Sequence, residues 1–377
     1  MYDTSLLADR PVPGWTPRSV EGPACRTGFG FRYGQSMASI SYPTSLRAGG
    51  RIEVPAPSMG VPAHLLERLQ TAVEALTTLG FEVHVRPHAS SAGLTPASAA
   101  ARAADLHAAF EAADAVLPPW GGELAIELVE KIDWDALAEA RPWFVGWSDI
   151  STLLLPLTTR TGLATLHGAN LMDEPYELPA EFERWTDVAA LPLGSTFEQR
   201  SAPRRRSRPW GPWADEPLDR EHAYEAPTRW RSLDGANDVT MRGRLIGGCL
   251  ETVSLLAGTP YGDVPGFARK YAPEGTIVYL EAAESNAITV LRMLTSLRLA
   301  GWFDDANGVL IGRTDGAAVP ELTQDEAVRR ALGDLDVPVL LDFDTGHQPP
   351  QMPLVNGALA EVRLNGAVCS IMQNLIP

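Results

Sequence analysis

Ser148 is the candidate nucleophile of this chain. Residues 144–150 read as a buried strand that runs into a tight turn and a helix start, with Ser148 in the turn. Gly146 suits a sharp turn, because a side chain there would crowd the backbone. The Gly-x-Ser-x-Gly signature of α/β-hydrolases fails at its last position, which is Ile150. A serine that merely caps the helix explains the same pattern equally well.

A histidine and a glutamate are the candidate partners, since a serine hydroxyl is a weak nucleophile without a base and a group that orients the base. His347 lies in a polar loop after an apolar strand, where an exposed ring could serve as a general base. Glu281 ends another apolar strand, and a carboxylate there needs a hydrogen-bond donor such as a histidine N–H. His167, in a comparable loop, is the alternative to His347. Glu284, three residues after Glu281, is the alternative to Glu281.

A glycine turn could supply backbone donors to a developing negative charge. Gly121 and Gly122 follow the third predicted strand, and the N–H groups of Gly122 and Asp149 would form an oxyanion hole. A glycine turn that only packs on the sheet is the plainer interpretation. No His or Cys pair has the spacing of a zinc site, and neither this turn nor 247–248 fits a phosphate-loop or dinucleotide pattern. We therefore predict no metal and no cofactor.

The elements around these residues predict an α/β fold. Strands at 51–56, 81–85, 115–117 and 143–146 alternate with helices at 62–79 and 97–112, which is typical of a parallel sheet flanked by helices. A second α/β layer follows, with strands at 242–246, 276–280, 308–312 and 338–341 and helices ending at 256, 299 and 332. The tail, 352–372, alternates in short strands.

Four segments are predicted along the chain. Residues 1–47 lack periodicity and form an N-terminal extension, either disordered or an ordered arm on a partner subunit, with Met37 as a second candidate start. Residues 48–170 form an α/β domain that carries Ser148, and 171–240 form a long inter-domain insertion that serves as a substrate loop. Residues 241–377 form a smaller C-terminal α/β domain. We expect the active site in the cleft between the two domains.

Composition limits the choice of partner and compartment. The 377 residues carry a formal charge of -16, which disfavours nucleic acid and anionic membranes as partners. Cys25, Cys249 and Cys369 are widely separated and odd in number, which suits a reducing cytoplasm. The start of the chain lacks a signal-peptide core, and no run approaches the roughly 18 apolar residues of a spanning helix. These features predict a cytoplasmic protein that acts on a small molecule or peptide.

Taken in order, several segments resemble the serine LD-carboxypeptidase family, which includes murein tetrapeptide carboxypeptidases and the microcin C self-immunity proteins. These segments are Gly50–Ser58, Gly121–Gly122, Ile132–Trp134, Gly146–Ile150, Thr161–Leu163, His167–Gly168, Gly247–Thr252, Leu280–Glu281 and Gly346–His347. The resemblance implies a Ser148–His347–Glu281 triad, an oxyanion hole at Gly122 and Asp149, and a homodimer. It departs from the family at Trp147, where a Tyr or Phe is usual, after Glu281, where an acidic residue often follows, and over 1–47.

The resemblance also implies hydrolysis of an amide bond. The tryptophan-rich segment looks more like the immunity branch, whose loop reaches over an aminoacyl-adenylate, and Trp210 and Trp213 would stack on a purine. With Gly121, Trp147 and Glu251 they form the predicted substrate-binding set. Tryptophans that only hold the loop to the core are the plainer interpretation. The alternatives are a murein tetrapeptide LD-carboxypeptidase that releases terminal D-alanine and a noncatalytic binder of an adenylate-like ligand.

Overall fold

The computed structural model describes residues 38–91, 93–207, 219–366 and 368–377. Its two large β-sheets have six and eight strands. The helices are α1 (Leu66–Thr78), α2 (Ala99–Ala112), α3 (Trp134–Ala140), α4 (Ser151–Thr161), α5 (Trp185–Ala190), α6 (Leu250–Val253), α7 (Val264–Tyr271), α8 (Ala287–Leu299) and α9 (Gln324–Leu332). The strands are β1 (Arg51–Val54), β2 (Glu82–Val85), β3 (Ala115–Val116), β4 (Trp143–Gly146), β5 (Thr165–His167), β6 (Thr196–Arg200), β7 (Arg204–Arg205), β8 (Ala226–Pro227), β9 (Arg231–Ser232), β10 (Asp238–Cys249), β11 (Thr276–Glu281), β12 (Ala306–Gly312), β13 (Val339–Phe343), β14 (Leu354–Asn356), β15 (Leu359–Asn365) and β16 (Val368–Asn374).

The first sheet has the order β14-β5-β4-β3-β1-β2, and it is parallel except for β14 at one edge. Every residue of β4 is buried, as expected for a parallel strand that is covered on both faces. Helices α1, α2 and α4 contact strands of this sheet. Helix α2 begins where the Ser98 side chain accepts from the N–H of Ala101, and it buries Ala103, Leu106 and Phe110 at helical spacing.

The second sheet has the order β6-β16-β15-β10-β11-β12-β13-β9. Its centre, β10 to β13, is parallel, and the strands on either side pair antiparallel. All six residues of β11 are buried. Helices α8 and α9 pack on each other, and α9 begins with a capping box between Thr323 and Glu326.

A strand, a helix and an apolar core connect the two sheets. Strand β14 belongs to the C-terminal part of the chain, yet it pairs with β5 of the first sheet, with Leu354 opposite His167. Helix α4 contacts both β5 and β10. One continuous apolar core includes Ile52 from the first sheet and Val278 from the second. The carboxyl ends of β4 and β11 therefore lie within one packed body.

The predicted α/β fold with a parallel first sheet and a second α/β layer is confirmed. The described part of 171–240, which is predicted as an inter-domain insertion, contains α5 and β6 to β9. Strands β6 and β9 form the two edges of the second sheet. Edge strands are short and carry charged residues, so their sequences resemble loops. Residues 208–218 lie outside the described residues.

Residues 38–47, the described part of the predicted N-terminal extension, pack on the fold. Ile40 and Leu46 are buried, and Ser41 forms a parallel bridge with Leu163 next to β5. The rest of the predicted extension lies outside the described residues, and the predicted domain boundaries remain predictions. None of the helices in the described ranges is long and apolar enough to cross a membrane.

Candidate active site

The backbone holds Ser148 in an unusual conformation at the end of β4. Its φ is 58°, in the left-handed region that non-glycine residues rarely adopt outside tight turns. A 3-10 helix over Ser148–Ile150 follows and leads into α4. A Cβ at Gly146 would lie 2.8 Å from Ile150 Cγ2, so the turn requires glycine there. The strand-turn-helix geometry lifts the serine out of the sheet.

Ser148, His347 and Glu281 form a continuous chain of hydrogen bonds. His347 Nε2 lies 3.1 Å from Ser148 Oγ, and His347 Nδ1 lies 2.8 Å from Glu281 Oε2. A carboxylate only accepts, so Nδ1 carries the proton and Nε2 is left to accept from the serine hydroxyl. Glu281 is fully buried, whereas the His347 side chain keeps 23% of its exposure. A hydroxyl, an imidazole and a carboxylate in this order can activate the hydroxyl as a nucleophile.

Electrostatics favour an ionised Glu281 beside a basic His347. Burial of the imidazole disfavours its charged form, but the negative charge and hydrogen bond of Glu281 outweigh burial and raise the pKa of His347 above 6.5. Burial alone would raise the pKa of Glu281, yet the neighbouring His347 lowers it below its ordinary value. The carboxylate is therefore charged at neutral pH and holds the imidazole tautomer.

The glycine turn lies directly against the serine. A Cβ at Gly121 would lie 2.8 Å from Ser148 Cβ, and a Cβ at Gly122, whose φ is 141°, would lie 2.4 Å from Ser58 Oγ. Within the described ranges, no atom accepts a hydrogen bond from the backbone N–H of Gly122 or Asp149. The glycine turn thus lies beside Ser148, and the N–H groups of Gly122 and Asp149 stay the predicted oxyanion donors.

The side chain of Asp149 holds three segments around this turn. Its buried carboxylate accepts from Ser58 Oγ at 2.5 Å, from the N–H of Ala125 at 2.8 Å and from Thr152 Oγ1 at 3.2 Å. These contacts join the loop after β1, the segment after the glycine turn and helix α4. The sequence analysis used only the backbone of Asp149 and missed this role.

A buried ion pair holds the loop that carries His347. Arg313, after β12, donates to Asp344 Oδ1 at 2.6 Å and to the carbonyl oxygens of Gln348 and Pro350. Trp230 Nε1 donates to the other oxygen of Asp344 at 2.6 Å. These hydrogen bonds flank His347 on both sides in the sequence and restrict the position of its ring.

Family models of the LD-carboxypeptidase N-terminal domain and C-terminal domain match residues 52–168 and 242–362. The chain belongs to the LD-carboxypeptidase family. It is a serine peptidase. A protein named putative carboxypeptidase from Streptomyces coelicolor is 31% identical to this chain, over 86% of the chain and 94% of the relative.

Two further comparisons represent both branches of the family. A Bacillus subtilis protein named probable murein peptide carboxypeptidase is 24% identical over 86% of this chain and 93% of its own length. The crystal structure of an MccF-like protein from Bacillus anthracis matches with a TM-score of 0.72 and 25% identity, over 88% of this chain and 99% of that one. The branch to which this chain belongs does not follow from these identities.

The predicted substrate-binding residues do not share one environment. Trp147 is buried, its ring lies 4.4 Å from that of His347, and its Nε1 donates to Asp173 Oδ2 at 2.8 Å. Glu251 accepts from the N–H groups of Ala283 and Ser285, so it holds the turn after Glu281. Gly121 lies beside Ser148 as described above. Trp210 and Trp213 lie outside the described residues.

Neither rival candidate, His167 or Glu284, takes part in the chain of hydrogen bonds from Ser148 to Glu281. His167 lies in β5 rather than in a loop, is fully buried, and has no hydrogen-bond partner for either ring nitrogen among the described residues. Burial lowers the pKa of His167 to about 4, so it is neutral under ordinary conditions. Glu284 is exposed and lies beyond the turn.

An open pocket lies beside the loop that carries His347. Gly346 borders it, and its wall combines aromatic rings with carboxylates: Asp173, Glu174, Tyr176, Glu183, Trp185 and Tyr224. Burial raises the pKa of Glu174 to about 7. The sequence analysis missed Asp173 and Tyr176, although both follow closely after the His167–Gly168 segment that carries part of the family resemblance.

Proposed function

We propose that this chain hydrolyses an amide bond in a small peptidyl or aminoacyl compound, with Ser148, His347 and Glu281 as the catalytic triad. The observation that carries the proposal is the chain of hydrogen bonds from Ser148 Oγ through both nitrogens of His347 to Glu281. Each atom has the partner that its role requires. Family membership supports the same reaction class.

The mechanism follows from the position of each proton. Ser148 Oγ attacks the carbonyl carbon while its proton passes to His347 Nε2. The N–H groups of Gly122 and Asp149 stabilise the oxyanion. The C–N bond then breaks as Nε2 returns the proton to the leaving nitrogen, and an ester on Ser148 remains. Water, deprotonated by the same imidazole, releases the acyl group.

For the substrate, we favour a peptidyl or aminoacyl nucleotide of the microcin C type, which the chain would inactivate. The half-buried aromatic ring of Tyr224 in the pocket wall supports it, since aromatic rings stack on purines. The similarity to an MccF-like structure also supports it, because MccF is named as the microcin C7 self-immunity protein.

The second candidate is a murein tetrapeptide, from which the chain would release terminal D-alanine. The carboxylates of Asp173 and Glu183 in the same pocket support it. An ammonium group on a peptide substrate would be attracted to these carboxylates. The relative named as a murein peptide carboxypeptidase supports it as well.

A direct assay separates these substrates. The purified protein is incubated with a microcin C-type aminoacyl sulfamoyl adenosine and, separately, with a murein tetrapeptide, and the products are identified by mass spectrometry. Ser148→Ala should lower kcat by at least about 10⁴-fold without changing the thermal unfolding curve. Turnover by Ser148→Ala at the wild-type rate would overturn the mechanism. Binding of the adenosine compound without turnover by the wild type would indicate a noncatalytic binder.

A further inference from the structure

A cysteine lies next to the triad and plays no part in the proposed mechanism. Cys249 ends β10, directly opposite Glu281 at the end of β11 in the parallel register. The Cys249 Sγ atom, a carboxylate oxygen of Glu281 and a ring nitrogen of His347 all lie within 4.8 Å of one another. Cys249 and Glu281 are buried. The strand register and the His347 loop thus place three different side chains around one small volume.

These three side chains are the ligand types that zinc prefers. A tetrahedral Zn²⁺ binds Cys sulfur at about 2.3 Å and His nitrogen or carboxylate oxygen at about 2.0–2.2 Å, so its ligand atoms lie roughly 3.5 Å apart. A pair of ligand atoms 4.8 Å apart would have to close by about 1.3 Å to reach that separation. Glu251 Oε2 lies 3.5 Å from Cys249 Sγ and could take the fourth position.

We propose that Cys249, Glu281 and His347 form an inhibitory binding site for a thiophilic divalent cation, with Zn²⁺ as the best fit. Hard cations such as Mg²⁺ prefer oxygen ligands in octahedral geometry and should bind poorly. The site lies inside the catalytic machinery, so metal binding and catalysis exclude each other. Binding of the cation does not depend on the proposed function, whereas the inhibition rests on it.

The geometry explains how the cation stops the reaction. His347 Nδ1 faces Glu281 and Nε2 faces Ser148, so the cation reaches Nδ1. The imidazole then moves its proton from Nδ1 to Nε2, and the Cys249 thiol releases one proton to solvent. A protonated Nε2 cannot accept the proton of Ser148. One cation bound therefore releases one proton and removes the general base, without any oxidation or reduction.

Cobalt absorption tests the binding. Protein treated with a chelator and desalted is titrated with Co²⁺, and we expect a thiolate-to-cobalt charge-transfer band that saturates at one cobalt per chain. Cys249→Ser and Cys249→Ala should abolish the band. Cys369→Ser is the matched control, because Cys369 is also buried but lies on β16, and it should keep the band. Circular dichroism confirms that each variant is folded. Absence of the band in wild type, or its persistence in both Cys249 variants, would overturn the proposal.

Inhibition by Zn²⁺ tests the consequence. Each variant is compared with its own metal-free rate, and Cys249→Ser should raise the Zn²⁺ concentration for half-inhibition by at least about 10-fold. Excess chelator should restore the rate, and Mg²⁺ should not lower it. Equal sensitivity of wild type and Cys249→Ser to Zn²⁺ would contradict the site. Should neither substrate be hydrolysed, the proposed function fails while the cobalt band still decides the binding.

Discussion

At the scale of single residues, the protonation state of His347 controls when the triad can work. The imidazole must be neutral to accept the Ser148 proton, and its pKa is raised above 6.5. kcat/KM should therefore rise with pH and level off only above that raised pKa. A profile of kcat/KM against pH measures the position of this acidic limb. A limb centred clearly below pH 6.5 would contradict the electrostatic account of the pair.

Replacing Glu281 with glutamine should change both the pH dependence of the rate and kcat. Without the Glu281 charge, burial of the imidazole is opposed only by the weaker attraction of Glu251 and Asp173, so the acidic limb should move to lower pH. The plateau of kcat should fall by about 10²- to 10⁴-fold, because the imidazole loses the group that fixes its tautomer. Glu284→Gln is the matched control, since Glu284 is exposed three residues away and should leave both quantities unchanged.

At the scale of elements, the glycine turn places the proposed oxyanion donors. Gly122→Ala would force a side chain to within 2.4 Å of Ser58 Oγ at a φ of 141°, so we expect lower stability and a loss of kcat of about 10²-fold or more. Gly49→Ala is the control, because Gly49 also has a positive φ, of 78°, but nothing lies within 4 Å of its Cβ position. Thermal unfolding and kcat are measured for both. Full activity and unchanged stability in Gly122→Ala would show that this turn does not require glycine.

The loop that carries His347 depends on a buried ion pair. Arg313→Met leaves Asp344 buried without its main partner, which should lower the free energy of unfolding by about 3–5 kcal/mol and reduce kcat. Arg298→Met is the control, because Arg298 pairs with Asp334 at the surface and should leave the unfolding curve unchanged. Urea unfolding with parallel rate measurements gives both quantities. An Arg313→Met protein as stable and active as wild type would show that the loop is held by other contacts.

At the scale of the whole molecule, the two sheets should unfold together. The described residues between 38 and 377 form one compact unit, and β14 from the C-terminal part completes the edge of the first sheet. We expect a single calorimetric transition whose van't Hoff enthalpy equals the calorimetric one. Two resolved transitions would indicate that the N-terminal and C-terminal family domains are independent. The homodimer implied by the resemblance stays a prediction, which the mass in solution tests against the 40.6 kDa chain.

Much of the fold was predictable because helix and strand periodicity is a local property of the chain. The alternation at 51–146 indicated the parallel first sheet, and the strands at 276–280 and 338–341 appear in the structure as β11 and β13. Edge strands were not predictable. The inward positions of β6 are Phe197 and the polar Gln199, so its apolar alternation is weak, and β9 has only two residues.

The sequence by itself determined the α/β class, the turn that presents Ser148, and the candidate partners at two strand ends. Only the tertiary structure decided that His347, 199 residues away, reaches that serine rather than His167. It also decided that Glu251 holds a turn and that Cys249 faces Glu281. The physical reason is that strand pairing and register arise from packing between distant segments, whereas residue type and spacing report only on neighbours along the chain.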